Sequence, residues 1–434
     1  MPKITTSTKQ PFFLTAHFFP LFWVQFLAAF NDNLYKNAMV MLIAFQLSQS
    51  SEQTGLYITL AAGIFILPFF LFSSFAGQLA DHFPKSILIQ KIQLSEIFIM
   101  ATGAVGFLTM QLEWLFLALF LMGTQSAFFG PIKYSVLPEV LGEPQLLRGN
   151  AWFSGSTFIA ILLGTIMGGS LVMMDNGAEI ISVVVLSMSI IGYLFSLKIP
   201  ATKQACPEIQ IDKNVLRSTW QIVQLGRQHK ASFFAVLAIS WFWFIGAVLL
   251  SQIPTFVKYT LQANEEVVIA FLTLFSVGIA VGAGLISKLL NTQVSLRFHP
   301  WLLILMSVFL LLAVWVSNSI HAIPDSPVVL MGLFEFLTLW PQNLSLLFLF
   351  ALAVMGGAYI VPLYTQLQIK TPETSRARIV AVNNIINALL MVLSSVLIMV
   401  GFLFDLSLPS MLLILGVFNL LVAGWFVRNS KESQ

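Results

Sequence analysis

The chain reads as an all-α membrane protein, twelve transmembrane helices in two six-helix halves with both termini cytoplasmic. Three observations predict this. Of 434 residues, 58% are hydrophobic and 9% charged, where a soluble domain carries about 25% charged residues. The apolar residues fall into twelve runs, each near the roughly 20 residues that a helix needs to cross the hydrocarbon core. Lysine and arginine gather on one side of those runs. So little charge cannot cover a soluble surface, which sets aside a soluble enzyme, a disordered chain and a nucleic-acid binder. A transmembrane barrel would need alternating segments of roughly 10 residues, which are missing. The single cysteine, Cys206, allows neither an intrachain disulfide nor a cysteine-based metal site.

In chain order the first six spans cover 18–47, 57–80, 86–109, 113–138, 150–174 and 179–199. The second six cover 231–257, 267–290, 301–320, 343–368, 379–404 and 409–428. Polar, glycine and proline clusters separate them. An even count places both termini on one side, whose loops and flanks hold 18 of the 21 basic residues. The opposite loops hold only Lys258, and Lys36 and Lys133 lie within spans. By the positive-inside rule the basic side is cytoplasmic. The first span has no cleavage pattern and stays as an anchor.

Residues 1–199 form the N-terminal half, 200–230 a basic cytoplasmic linker and 231–434 the C-terminal half. Within the linker, Val215, Leu216, Trp220 and Val223 recur at helical spacing, predicting an amphipathic helix on the inner leaflet or a partner site. Weak internal similarity relates Gly77–Lys85 to Gly282–Leu290, and Pro131 to Pro362. The differing offsets place an insertion at His321–Gln342. Its segment Val328–Trp340 is too short to cross, and Gly332, Glu335 and Thr338 form a narrow polar stripe. An interfacial helix near 328–340, on the outer leaflet, is expected.

The loop after span 2 reads Gly77-Gln-Leu-Ala-Asp81-His-Phe-Pro-Lys85. It resembles the signature loop of the major facilitators, whose fold has two six-helix halves and a substrate site between them near the midplane. Here His82 and Pro84 replace a usual arginine and glycine. Glycine lets helices approach closely, and the acid can face a helix N-terminus or a basic partner. Gly77, Asp81 and Lys85 are therefore gate candidates.

Ionisable groups inside spans cost about 2.5–3.5 kcal/mol each on insertion scales, so they are functional candidates by default. Span 1 carries Asn31-Asp32-Asn33-Leu-Tyr35-Lys36-Asn37. Asp32 and Lys36, four residues apart, share a face and can pair. They either bind substrate or ion, or make a structural pair with asparagine-mediated helix packing. Glu96, deep in span 3, is a coupling candidate or a partner for Lys36 or Lys133. Span 4 ends Gly130-Pro131-Ile-Lys133-Tyr134-Ser-Val-Leu-Pro138-Glu139, where the prolines free backbone groups near Lys133. That lysine can hold a phosphate or carboxylate, or contact Glu139 or Asp81 at a gate. Span 10 echoes it with Val361-Pro362-Leu-Tyr364, followed by Arg376 and Arg378 at the cytoplasmic mouth. Asn383, Asn384 and Asn387 open span 11 on a polar face. The chain has no Gly-x-x-x-x-Gly-Lys-Ser/Thr loop, and its five histidines lack ligand-like spacing. No metal and no cofactor is expected.

At these motifs the chain resembles the bacterial lysophospholipid transporters, a branch of the major facilitators. The resemblance rests on Gln25–Asn33, Gly130–Glu139, Gly149-Asn-Ala ahead of Ala160–Gly164, Val361–Tyr364, Arg376-Ala-Arg378 and Asn383-Asn384. Lys36 and Glu96 look closest to transporter domains fused to a phospholipid acyltransferase and an acyl-carrier-protein synthetase, which this chain lacks. Related chains carry a basic residue in span 7; here that span is uncharged and Gln252 is its polar position. The resemblance implies a bacterial inner-membrane carrier, not an enzyme, that moves lysophospholipid from the outer to the inner leaflet for re-acylation. A separate acyltransferase would be its functional partner, and the carrier would act as a monomer. Asp32, Asn33, Lys36, Lys133, Tyr134, Tyr364 and Asn383 are the expected substrate contacts, with Asp32 and Glu96 for coupling. Gly77, Asp81, Lys85, Glu139, Arg376 and Arg378 are the expected gate. The rival is a proton-coupled exporter of an amphipathic metabolite, drug or siderophore. A scaffold or receptor gives no reason for buried charges.

Overall fold

The structure, a computed structural model, describes residues 15, 17–47, 51–291, 294–317 and 330–430. Lys3, Lys9, Lys431 and residues 321–329 of the 321–342 insertion lie outside them. Among the described residues the fold is helical, with one isolated bridge, Ala263 to Met331. The first half comprises α1 (Phe19–Leu42), α2 (Ser51–His82), α3 (Lys85–Thr109), α4 (Leu112–Ser135), the short α5 (Leu137–Leu141), α6 (Glu143–Leu171) and α7 (Gly177–Ser196). The linker carries α8 (Val215–Gln228). The second half comprises α9 (Lys230–Thr255), α10 (Glu265–Leu290), α11 (His299–Ser317), the short α12 (Leu333–Thr338), α13 (Leu344–Lys370), α14 (Arg376–Leu403) and α15 (Leu408–Ser430).

Eleven helices are long and apolar enough by themselves to cross a membrane, and α1, which bears the Asn31–Asn37 polar run, completes twelve long helices among the described residues. Helix ends depart from the apolar runs where the chain continues helical through polar turns. α6 starts at Glu143, seven residues before the apolar run, because Pro144 in its first turn needs no amide partner. Hydropathy marks the lipid-embedded part of a helix, whereas capping and proline set its ends. Large apolar side chains remain on the outside, such as Phe98 on α3 and Leu421 on α15, as a lipid solvent permits.

Without a hydrophobic driving force between helices in lipid, small residues decide which backbones meet. α1 packs on α6, where a β-carbon on Gly164 or Gly168 would meet the carbonyls of Phe30 and Leu34. α10 packs on α13 in the same manner: Gly282 faces the Val354 carbonyl and Gly357 faces that of Ile279. Gly282, the counterpart of the Gly77 loop in the second half, is thus a packing glycine. Substituting Gly282→Val is expected to destabilise the protein by about 1–3 kcal/mol, since two backbones must part. Thermal unfolding in detergent checks this, and an unchanged midpoint would refute it.

The expected linker helix is present, and its burial pattern is specific. Ser218, Ile222 and Gly226 form the buried stripe, while Leu216 and Trp220 point outward. Polar Ser218 finds a hydroxyl partner, Ser74, and Gly226 faces Val382 and Phe233, which residue polarity alone does not reveal. Of the segment 328–340, residues 328–329 lie outside the described residues and only Leu333–Thr338 is helical. Glu266 on α10 accepts from the Leu333 backbone at 3.1 Å, and Phe336 is buried beside Phe271.

Candidate functional site

The halves meet along α2–α14 and α6–α10 and enclose a cavity of about 530 Å³. This lies within the 300–1,000 Å³ usual for small-molecule sites. One helical face of α1 supplies Gln25, Asp32 and Lys36 at spacings of seven and four, so all three share the wall. α4 adds Ser126, Lys133 and Tyr134, α6 adds Thr157, and α14 adds Asn384 and Asn387. The wall from α2 is apolar: Ile58, Ala61, Phe65, Ile66 and Phe69. Polar and greasy surfaces therefore face each other across one space.

Asp32 and Lys36 do not pair; among the described residues the ion pairs within 4 Å lie elsewhere. Asp32 Oδ2 accepts from the Ser126 hydroxyl at 2.8 Å, and its Oδ1 is buried without a partner. The Lys36 ammonium lies 4.4 Å from the centre of the Phe65 ring. Lys133 donates to the Thr157 hydroxyl at 3.0 Å, and that hydroxyl lies 2.9 Å from Gln25 Oε1. It meets neither Glu139 nor Asp81, whose partners are described below. Two lysines with no carboxylate within 4 Å among the described residues, and one half-satisfied aspartate, thus line the cavity.

Glu96 stands apart from both lysines. Its Oε1 accepts from Asn31 at 3.0 Å, and its Oε2 from Gln93 at 2.7 Å and Gln125 at 3.0 Å. This amide cage binds α1, α3 and α4 together behind the cavity wall, and only Gln125 reaches the cavity. Asn383 is fully buried and off the wall, whereas Asn384 and Asn387 are on it. Asn33 lines the cavity but spends its amide on the Ala29 carbonyl one turn back, at 2.8 Å. Gln252 borders a separate small space instead, and α9 contributes Trp243, which donates to the Tyr364 hydroxyl at 3.1 Å. Sequence reasoning assigned no site role to Gln25, Ser126, Thr157 or Trp243. The seven-residue step from Gln25 to Asp32 was the readable signal; Trp243 had none, being one aromatic among many.

The cavity floor is the stacked pair Tyr134–Tyr364, with ring centroids 4.0 Å apart and planes 4° apart. Each tyrosine follows the proline of its helix, Pro131 or Pro362, which brings the two helices' corresponding breaks together. Beneath it, Asn150 and Gln368 exchange amide hydrogen bonds at 2.6 and 3.1 Å, and Gln368 also donates to the Tyr134 carbonyl at 2.9 Å. Lower still, the Asp81 carboxylate accepts from the Ala377 and Arg378 amides at 3.0 and 3.2 Å and from Arg378 Nε at 2.9 Å. Asp81 thereby caps the start of α14 while ion-pairing across the halves. Gly77, one turn earlier, abuts Ala381 and the Arg378 backbone. Lys85 and Glu139 pair at 2.5 Å within the first half, and Arg376 Nε donates to the Gln368 carbonyl at 3.0 Å. From this sealed end the cavity runs up to Val40 and Ile58, near the far ends of α1 and α2.

Comparisons with known proteins agree with this architecture. The family model for the Major Facilitator Superfamily matches residues 21–395. The chain is 26% identical over 369 residues to a lysophospholipid transporter LplT from Enterobacter sp. (strain 638), covering 83% of this chain and 82% of that one. It is 24% identical over 363 residues to an LplT of Yersinia enterocolitica, covering 79% and 76%. In fold it is similar to the Escherichia coli fucose:proton symporter, with a TM-score of 0.68, 15% identity and coverage of 96% and 98%. It is also similar to a bacterial homologue of the iron transporter ferroportin in an outward-facing state, with a TM-score of 0.67, 16% identity and coverage of 95% and 99%. A cavity between two packed six-helix halves, sealed at one end, is what a carrier needs and what a soluble catalyst does not. The chain is a multi-pass membrane transporter rather than an enzyme, and it belongs to the major facilitator superfamily.

Proposed function

We propose that the protein carries lysophospholipid, of the lysophosphatidylethanolamine type, from the outer to the inner leaflet of the bacterial inner membrane by alternating access. The observation that carries this reading is the two-faced cavity. Lys36 and Lys133, both without carboxylate partners among the described residues, face the apolar α2 wall of Ile58, Phe65 and Phe69. A headgroup phosphate would take the lysines, and its amine the free Oδ1 of Asp32. Tyr134, Tyr364 and Asn33 would border the headgroup, and a single acyl chain would lie on the α2 wall. Asp81, Arg378, Gly77, Lys85, Glu139 and Arg376 would form the cytoplasmic gate, closed while the cavity is reached from outside. The named relatives support the same substrate class. A separate acyltransferase would consume the delivered lipid, and one chain would suffice for transport.

The test is a proteoliposome assay. Labelled lysophosphatidylethanolamine is expected to move across the bilayer in protein-dependent fashion without an imposed proton gradient. Gradient-dependent movement of a water-soluble solute, with no movement of the lipid, would sink this reading in favour of the proton-coupled exporter. That rival must rely on Asp32, because Glu96 is enclosed by amides away from the cavity.

A further inference from the structure

α8 crosses the outside of the seam between the halves. On one side Ser74 of α2 donates to the Ser218 hydroxyl at 2.9 Å. Two turns later, Gly226 packs against Val382 of α14 and Phe233 of α9. Ser74 lies eight residues inside the end of α2 at His82, about 12 Å at 1.5 Å per residue. α8 therefore lies alongside the last turns of α2, not beyond its end. The chain leading to it is also tied down. The Asp212 amide donates to Gln78 Oε1 at 2.7 Å, and the Cys206 amide to the Asp81 carbonyl at 2.7 Å.

With Ser218, Ile222 and Gly226 turned inward, Leu216 is left 84% exposed and Trp220 61% exposed. The helix holds two arginines, Arg217 and Arg227, and no acid. Exposed Lys213 and Lys230 flank it. Arg217 has one acidic neighbour, Asp212 at 3.5 Å, and keeps 72% of its side chain exposed. A leucine and a tryptophan flanked by cations, beside the last turns of α2, match an anionic headgroup layer in both polarity and charge.

We propose that α8 is a strap over the α2–α14 seam whose outer face, Leu216 and Trp220 with Arg217 and Arg227, seats in the anionic lipid surface. When the sealed end opens, α2 and α14 separate at the Gly77–Ala381 contact, and α8 must let go of one of them. The lipid hold on its outer face then bears on that release. The release step rests on alternating access, whereas the lipid contact does not.

Two experiments on the full chain test it, both with Cys206→Ser. Leu216→Cys is labelled with an environment-sensitive fluorophore and reconstituted in phosphatidylcholine vesicles with and without phosphatidylglycerol. The emission is expected to shift to the blue and be quenched by brominated lipid in the anionic vesicles, and both effects to shrink with Arg217→Gln and Arg227→Gln. Water-like emission in both vesicle types overturns the lipid contact. In the second, Ser74→Cys with Ser218→Cys ties α8 to α2, and Gly226→Cys with Val382→Cys ties it to α14. Either disulfide alone is expected to leave transport running, and both together to abolish it until reductant is added. A doubly tied protein that transports at the untied rate overturns the strap. The fluorescence measurement needs no transport, so its failure is distinct from failure of the proposed function.

Discussion

Replacing Lys133 with alanine is expected to lower lysophosphatidylethanolamine transport by roughly 10- to 150-fold, the equivalent of one charge-assisted hydrogen bond of about 1.5–3 kcal/mol. Lys133 is held at the cavity wall by a hydrogen bond to the neutral Thr157 hydroxyl at 3.0 Å, just past Pro131, with the Tyr134 and Phe153 rings 5.5 and 5.8 Å from its ammonium. Among the described residues no carboxylate lies within 4 Å of it, and Asp32 of the same cavity acts on it only at longer range. An ammonium kept in a lined cavity without a contacting counter-ion costs desolvation energy, so its removal should leave thermal stability unchanged or raised. Transport and stability moving in opposite directions separates a ligand contact from a structural one. Thr157→Val, which keeps the charge, should have the smaller effect. Full transport by Lys133→Ala would remove this residue from the site.

Asp81→Ala is expected to shift the sealed end toward the open arrangement, because it leaves Arg378 and two backbone amides at the start of α14 without their acceptor. Breaking a buried ion pair from one side costs on the order of 3–5 kcal/mol. Here that cost falls only on the closed arrangement. Asp81→Asn keeps an acceptor but loses the charge, so an intermediate shift is expected. Spin labels at Phe83→Cys and Thr374→Cys, both exposed and on opposite halves, read the separation directly in the Cys206→Ser background. The distance distribution should move to longer values in the alanine variant. An unchanged distribution would show that Asp81 does not hold the seam.

The two variants also mark how differently sequence serves the fold and the site. The twelve long helices were legible because a lipid-crossing helix must be apolar over its whole length, whatever it packs against. Their ends were less so: α6 begins a full two turns early, at Glu143. The candidate charges were legible too, since Asp32, Lys36, Lys133 and Glu96 stand out against apolar spans. What each charge faces was not. Glu96 went to three amides, Asp32 and Lys36 stayed apart, and Asn384 rather than its neighbour Asn383 reached the cavity.

Length, hydropathy and the few ionisable residues by themselves determined an all-helical membrane chain of two halves and confined its chemistry to a handful of positions. Only the tertiary structure decided which of those positions share a cavity, and that α8 turns Leu216 and Trp220 outward. The reason is physical. In water, a helix shows its buried face by the contrast between apolar and polar stripes. In lipid, the surroundings are as apolar as the protein interior, so that contrast vanishes. Facing is then set by small residues such as Gly282 and Gly357 and by which polar groups find partners, and both depend on neighbours distant in sequence.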